Sequence, residues 1–472
     1  MQERFFDVVV VGRSLGALVA AALLARRDFT VLVVGQGRRP ATYEFEGQEL
    51  RRRSFTMLAG ASTSWSRVVR DLAHTQTWRR RIAQASPAVQ YALPNSRFEV
   101  PADPALFDRE VEREFPELRR LIVDLYGDFS RVTAAADDAF GREAMWPPGT
   151  FFERRETTRV AARLPYARGE PHLDLLSEFP RAHPYRRMVT ESVRFATDLA
   201  TPPPAFASAR LHGAWTRGLQ RLKGGEDELD QMLRDSVTAH GGQCRLDEHC
   251  VAVERRRGGV SSVQLDGEDG PTGAGFVITD MTGEELASLC GGQGIRTRAR
   301  RDWPRLRAPV GRFVVSLVVG KQGVPAPLAP EMFLLDEPDG PAILLQREHE
   351  RAGAVLLVAE MLVRERGDIS VRDTREYILS RILRALPFAS RHLRIVDSVH
   401  DGLPLWRYDA AGRRQAVERA ELRGVSTRPE LLVPQFDVDP PGFLGLAGEH
   451  LRGPLDKCLL VGPSVMPALG QE

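Results

Sequence analysis

Gly12, Ser14, Gly16 and Ala17 stand in a turn between an apolar run and an Ala- and Leu-rich segment, at the spacing with which a chain cradles a diphosphate. The chemistry is anion binding by backbone N–H groups at a helix start, where the helix dipole adds positive potential. It asks for three small residues: one for the tight turn, one where backbone approaches the pyrophosphate, and one where helix packs on strand. Those places hold Gly12, Ser14 and Ala17. Ala17 satisfies the packing position. Ser14 puts a Cβ and a hydroxyl on the surface where the pyrophosphate would lie, although the hydroxyl can itself donate a hydrogen bond. The acid that takes the ribose hydroxyls belongs about 20 residues further on, and that position is Gly35. A lost charge-assisted contact of this kind costs about 1.5–3 kcal/mol. The residues read as a dinucleotide site with weakened contacts, and a unit that holds no ligand accounts for them equally.

The elements that position this turn follow from hydrophobic periodicity. Residues 7–12 form a buried-type strand, 15–26 a helix and 30–34 a second, parallel strand, giving a βαβ unit. Residues 43–50 read as a hairpin and 103–135 as helical, with Pro-rich breaks at 146–149 and 201–204. A helix opens near Leu222 and is ended by Gly241-Gly242. Strands follow at 245–254, 260–265 and 275–279, a return to the nucleotide-type domain, and strands resume at 311–320 and 342–363. A helix at 371–386 precedes Pro-rich loops, and the apolar run from Cys458 leads into a turn.

A chain of 472 residues calls for two domains. With 65 Lys and Arg against 63 Asp and Glu, the net charge of +2 gives no reason to expect a nucleic-acid partner. Lys occurs only at Lys223, Lys321 and Lys457, so the basic residues are almost all Arg. The runs 51–53, 79–81 and 255–257 are expected to be solvated faces, with peripheral membrane association as the most that they suggest. Cys244, Cys250, Cys290 and Cys458 are too scattered for a disulfide framework or a structural zinc site, which fits a reduced, cytoplasmic setting. No signal leader precedes the first strand, and no apolar run reaches the roughly 20 residues that span a membrane. His172, His183, His212, His240 and His249 fall into no Ser-His-Asp or metal-ligand pattern, so no catalytic or metal-binding residue is assigned. The acidic pairs Asp137-Asp138 and Asp227-Glu228 are expected to cap or solvate helices.

With the elements placed, the chain resembles the phytoene-desaturase-like branch of the flavin amine-oxidase superfamily over nearly its whole length. Residues 7–24 with 31–40 look like that family's FAD-binding start, and 223–242 with the strands to Asp280 look like its middle FAD segment. Residues 460–470, Leu-Val-Gly-Pro-Ser-Val-Met-Pro-Ala-Leu-Gly, resemble its last FAD motif, in which an apolar strand leads through Gly-Asp to a Pro-Gly-x-Gly turn. The resemblance marks Gly12, Ser14, Gly16, Ala17, Gly35, Arg38, Arg39, Val251, Gly462, Pro463 and Gly470 as FAD-type positions. The departures cluster there. Pro463 replaces the Asp and offers neither carboxylate nor N–H, Ala468 stands for a Gly, and Pro40-Ala41-Thr42 stands where a Gly-Gly pair is usual. Arg53 occupies about the place of a Gly near the flavin. The helix that follows the last motif in the family lies beyond this sequence.

The resemblance implies an α/β fold: a Rossmann-like FAD-binding-type domain (1–75, 214–305 and 432–472) interleaved with a second, α+β substrate-type domain (76–213 and 306–431). Such proteins desaturate, isomerise or saturate isoprenoids by hydride transfer, while the Rab escort and GDP-dissociation-inhibitor proteins resemble the same fold and handle prenyl groups without redox chemistry. The clustered departures favour a non-catalytic binding, escort or regulatory protein with no tightly bound cofactor, FAD being the one expected if any is held. Its partner would be an apolar isoprenoid or lipid, or a protein. The alternative is an active FAD-dependent oxidoreductase on an apolar substrate.

Overall fold

Valines fill β1 (Phe5–Val11) from Val8 onward and three of the four positions of β2 (Val31–Val34), and both strands are largely buried. Helix α1 (Leu15–Ala25) joins them, and its Ala17, Ala21, Ala22 and Ala25 are fully buried, so that helix and sheet approach closely. The computed structural model describes residues 4–142, 144–166, 174–216, 219–291 and 303–470. His172 and Gln471-Glu472 lie outside them.

β1 pairs in parallel with β2 and, on its other side, with the strand Thr272–Thr279. The strand Gln243–Arg245 flanks β2, and Cys458–Leu460 flanks the end of Thr272–Thr279, both in parallel. Gly259–Leu265 and Cys250–Arg256 complete this seven-stranded sheet in antiparallel pairing. The single strand expected over 245–254 is therefore two, on opposite sides of the sheet. The break falls at residues 246–249, where Asp266 accepts from the His249 N–H and pins the turn.

A ten-stranded sheet is built around the strand Arg305–Gly320, which pairs along its length with Ala354–Arg364. The run 342–363, expected as strand, is a hairpin of Ile343–Arg351 and Ala354–Arg364. Ala352 and Gly353 turn it with φ of 52° and 69°, the left-handed geometry of a two-residue hairpin loop. The strand Val433–Asp439, grouped by sequence with the nucleotide-type segments, pairs with Arg305–Gly320 in this second sheet.

Helix Val371–Ala385 covers one face of that sheet, and helices Arg119–Phe140, Pro184–Ala196 and Ala205–Thr216 pack in the core on the other. The interior between sheet and helices, in the domain where the resemblance places an apolar partner, holds a cluster of the chain's own rings. Phe333 stacks on Tyr91 at 5.3 Å and meets Phe195 at 5.6 Å and Trp215 at 5.1 Å edge-on. All four rings are fully buried.

Buried polar groups tie the second sheet to the segments packed around it. Arg312 donates to the Phe195 and Thr197 carbonyls at 2.8 and 2.7 Å, to Glu360 at 2.7 Å and to Asp198 at 3.3 Å. Gln346 donates to Phe55 O at 3.1 Å, to Thr56 Oγ1 at 2.9 Å and to Glu331, tying the loop after residue 54 to the second sheet. Burial pushes the Glu331 carboxyl up to about 8, so it is neutral at physiological pH.

Two outcomes follow. Phe333→Ala leaves three rings without a partner and should cost about 3–5 kcal/mol of stability in urea unfolding. For Glu331, the folded protein keeps a proton that the unfolded chain loses near its ordinary value of 4.5. The linkage sign makes stability fall as pH rises between about 4.5 and about 8. Glu331→Gln should lose that decline, and parallel stability profiles for parent and variant across the window would contradict the assignment.

Candidate functional site

Because β1 and Thr272–Thr279 are adjacent and parallel, with Val11 opposite Thr279, Gly12 and Asp280 leave the sheet side by side at its carboxyl edge. Ligands of open α/β sheets bind in the crevice outside that edge. Asp280 occupies it. Its Oδ2 accepts from the backbone N–H of Arg13 at 3.0 Å and of Ser14 at 2.6 Å, the donors at the start of α1. Gly12 has φ of +128°, and a Cβ there would lie 1.8 Å from Asp280 Oδ1, so the glycine is needed for the carboxylate to enter. Gly462, with φ of +91°, closes the other side; a Cβ on it would sit 3.2 Å from Asp280 Cβ and 3.3 Å from Ser14 Oγ.

Ser14 corrects the sequence expectation. Its hydroxyl accepts from the Ala17 N–H at 3.3 Å and caps α1, a role that serine fills at many helix starts. Gly16 faces the last turn, where a Cβ would meet Gly462 N at an ordinary contact distance of 3.6 Å, and Ala17 packs in the sheet core. Pro463 is the second residue of a turn closed by the Val465 N–H on Gly462 O at 3.2 Å, a position that suits its fixed φ.

Gly35 has a structural reason of its own. A Cβ there would lie 1.9 Å from Leu246 O, because the chain after Gln243–Arg245 passes directly against it. The next residue, Gln36, pairs with the edge of Cys250–Arg256: its Oε1 accepts from Cys250 N at 2.8 Å and its Nε2 donates to Cys250 O at 3.1 Å. Gly35, Gln36, Arg38, Asp280 and Glu285 line a recess of about 440 Å³.

Acidic residues at the start of helix Gly225–Ala239 hold the surrounding cations. Asp230 receives both arms of Arg13 at 2.7 and 2.8 Å; burial raises its carboxyl, but the Arg13 hydrogen bonds prevail and keep it below the usual range. Glu226 receives both arms of Arg53 at 2.7 and 2.8 Å and Arg38 at 3.3 Å. Asp227 accepts from Ala41 N at 2.8 Å and from the Thr42 hydroxyl, fixing the segment where the resemblance implied a Gly-Gly pair. Glu228 accepts from Gly224 N at 2.7 Å, the helix-start role expected of it.

Of the FAD-type positions, the structure gathers Gly12, Ser14, Gly16, Gly462 and Pro463 around Asp280, with Gly35 and Arg38 in the adjoining recess. Arg39 lies apart, half-exposed and bonded to Glu430 at 2.9 Å, while Val251 is 50% exposed and Gly470 packs on Ala196. The run 51–53 is not a solvated face. Arg51 and Arg52 are buried, and Arg52 bonds to Glu430 at 3.2 Å and Gly424 O at 2.7 Å and stacks on Tyr43. Among the described residues no His, Cys, Asp and Glu cluster could hold a metal ion, and all four cysteines are unpaired. Sequence reasoning missed Asp280, Gln36 and the Arg13–Asp230 pair. Only the apolar run 276–279 ending in an acid pointed to Asp280, and its meaning depends on the strand pairing.

As placed, these residues do not favour a dinucleotide's diphosphate, since Asp280 holds the N–H groups of Arg13 and Ser14 and sets a carboxylate beside the start of α1. Nor does the ribose position accept an acid: Gly35→Glu should destabilise the protein by about 3 kcal/mol or more through the Leu246 clash. A thermal melt unchanged from the parent would refute that reading of Gly35.

Residues 10–72 match the model of a family described as an NAD(P)-binding Rossmann-like domain. No curated protein matches the sequence. Among solved structures, an oxidoreductase from Methanosarcina mazei superposes with a TM-score of 0.60 at 13% identity, covering 98% of each chain. Cyclohexylamine oxidase from Brevibacterium oxydans gives 0.54 at 14% identity over 99% of this chain and 95% of its own. A putrescine oxidase variant redesigned in cofactor binding gives 0.51 at 16% identity, over 81% and 82%. At such identities the likeness shows the fold alone: a mixed α/β fold with a Rossmann-like nucleotide-type domain, similar to that of these oxidoreductase and oxidase structures.

Proposed function

We propose that this protein is a non-catalytic relative of the phytoene-desaturase-like flavoproteins, acting as a binding, escort or regulatory protein without a tightly held cofactor. The carrying observation is Asp280 on the N–H groups of Arg13 and Ser14. A diphosphate brought to about 4 Å from that carboxylate meets a repulsion of about 4 kcal/mol at an effective dielectric constant of 20, roughly a thousandfold in affinity. Arg13 is paired with Asp230, and Arg38 and Arg53 share Glu226, so the cations around the crevice are engaged by this chain's own acids. The filled interior around Phe333 turns the expected partner away from a large isoprenoid and toward a protein.

The competing reading, an FAD-dependent oxidoreductase on an apolar substrate, is favoured by Gly12 and Gly462, which keep the positive φ of a close backbone approach at the crevice. Flavin content separates the two. Protein purified without added cofactor, then acid-denatured and chromatographed, should release far less than one flavin per chain. Near-equimolar FAD would reject the non-catalytic reading and establish the oxidoreductase.

A further inference from the structure

The helix Phe151–Ala161 begins with the two most exposed aromatic side chains among the described residues, Phe151 at 75% and Phe152 at 77%. At 3.6 residues per turn, Thr157 and Ala161 form its inward face, and both are buried. Phe151, Phe152, Arg155 and Arg159 fall on the opposite, outward face, with Arg163 exposed just past the helix end. Of the two acids in the helix, Glu153 is turned back to its start. It accepts from Gly149 N and Thr150 N at 2.9 and 2.8 Å and from Arg452 at 2.6 Å, and the Arg452 contact holds it down to about 2. Glu156 is exposed one turn on from Phe152, at least as near the centre of this face as Phe151. The outward face thus carries two phenyl rings and two arginines, with one carboxylate at its edge.

We propose that this face docks on an anionic lipid surface, the rings entering the interface and the arginines pairing with headgroup phosphates or carboxylates. Aromatic rings with arginines on one short helix face are the pattern of in-plane interfacial binding, and long arginine stems let the guanidinium reach the headgroups while the rings lie deeper. Charge selects this occupant over a second copy of the chain, because a symmetric pairing of the face would gather four arginines, Arg155 and Arg159 of each copy, against two carboxylates. The inference stands whether or not a flavin is bound, since no residue of the crevice takes part.

Sedimentation of the full-length protein with phosphatidylserine–phosphatidylcholine vesicles, and with phosphatidylcholine alone, tests it. The parent should bind the anionic vesicles, bind the neutral ones far less, and be released by salt as screening shortens the reach of the arginines. Arg155→Gln with Arg159→Gln should weaken binding roughly thirtyfold, the equivalent of about 1 kcal/mol per arginine at an anionic surface. Arg155→Lys with Arg159→Lys should retain it. Phe151→Ser with Phe152→Ser should abolish it without lowering the melting temperature, because both rings are exposed. Absence of binding by the parent, equal binding by the Ser variant, or a parent dimer that the Ser variant loses in sedimentation velocity would each overturn the proposal.

Discussion

The arrangement of the nucleotide-type half depends on one carboxylate and two backbone donors. The first N–H groups of a helix have no partner within it, and the dipole leaves partial positive charge beside them. In a dinucleotide-binding protein the ligand satisfies both needs. Here Asp280, just past the neighbouring strand, puts an anion beside that end of α1 and accepts from the N–H groups of Ser14 and Arg13, the two residues before the helix, at 2.6 and 3.0 Å. Charge-assisted hydrogen bonds to fixed donors are among the stronger polar contacts, about 1.5–3 kcal/mol each, so this internal anion is not displaced lightly. Gly12 and Gly462, which would serve close approach of a ligand, serve close approach of this side chain instead.

Around that contact the chain pairs its own charges. Helix Gly225–Ala239 presents Glu226, Asp227 and Asp230 to Arg13, Arg38, Arg53 and the 41–42 backbone, and each acid is engaged. Arg312 plays a comparable part at the junction with the second sheet, sharing two carboxylates and two carbonyls. Both Glu360 and Asp198 compete for it, and burial pushes Asp198 up to about 6 despite the arginine. Such networks act mainly through what their loss costs, about 3–5 kcal/mol when one buried partner is removed. They hold the crevice and the junction in one arrangement.

Much of the fold was legible because its signals are local. The β-branched runs of β1 and β2, the alanines of α1 and the Gly-Gly end of the 225–239 helix each announce themselves within a few residues. The hairpin at 352–353 was hidden, since Ala-Gly is a weak turn signal and the strand that follows it is buried on both faces. The split of 245–254 was hidden because only the crossing beside Gly35 explains it. At the site, the positions that deviate from a nucleotide fingerprint were visible, but their reasons were not. Ser14 caps a helix, Gly35 yields to Leu246 O, Pro463 shapes a turn, and the residue that unites them, Asp280, lies more than 260 positions away from Ser14 in sequence. Burial of Arg51 and Arg52 is likewise a tertiary property, decided by Glu430, Gly424 and Ser316.

The central claim is that Asp280 holds the place of a ligand's diphosphate. Calorimetric titration of FAD into the parent and into Asp280→Ala, with circular dichroism to confirm that both are folded, tests it most directly. The account predicts no measurable binding by the parent and recovered binding by the variant, tighter by roughly a thousandfold if the lost repulsion is about 4 kcal/mol. Equal affinity in the two proteins, whether tight or absent, would contradict it.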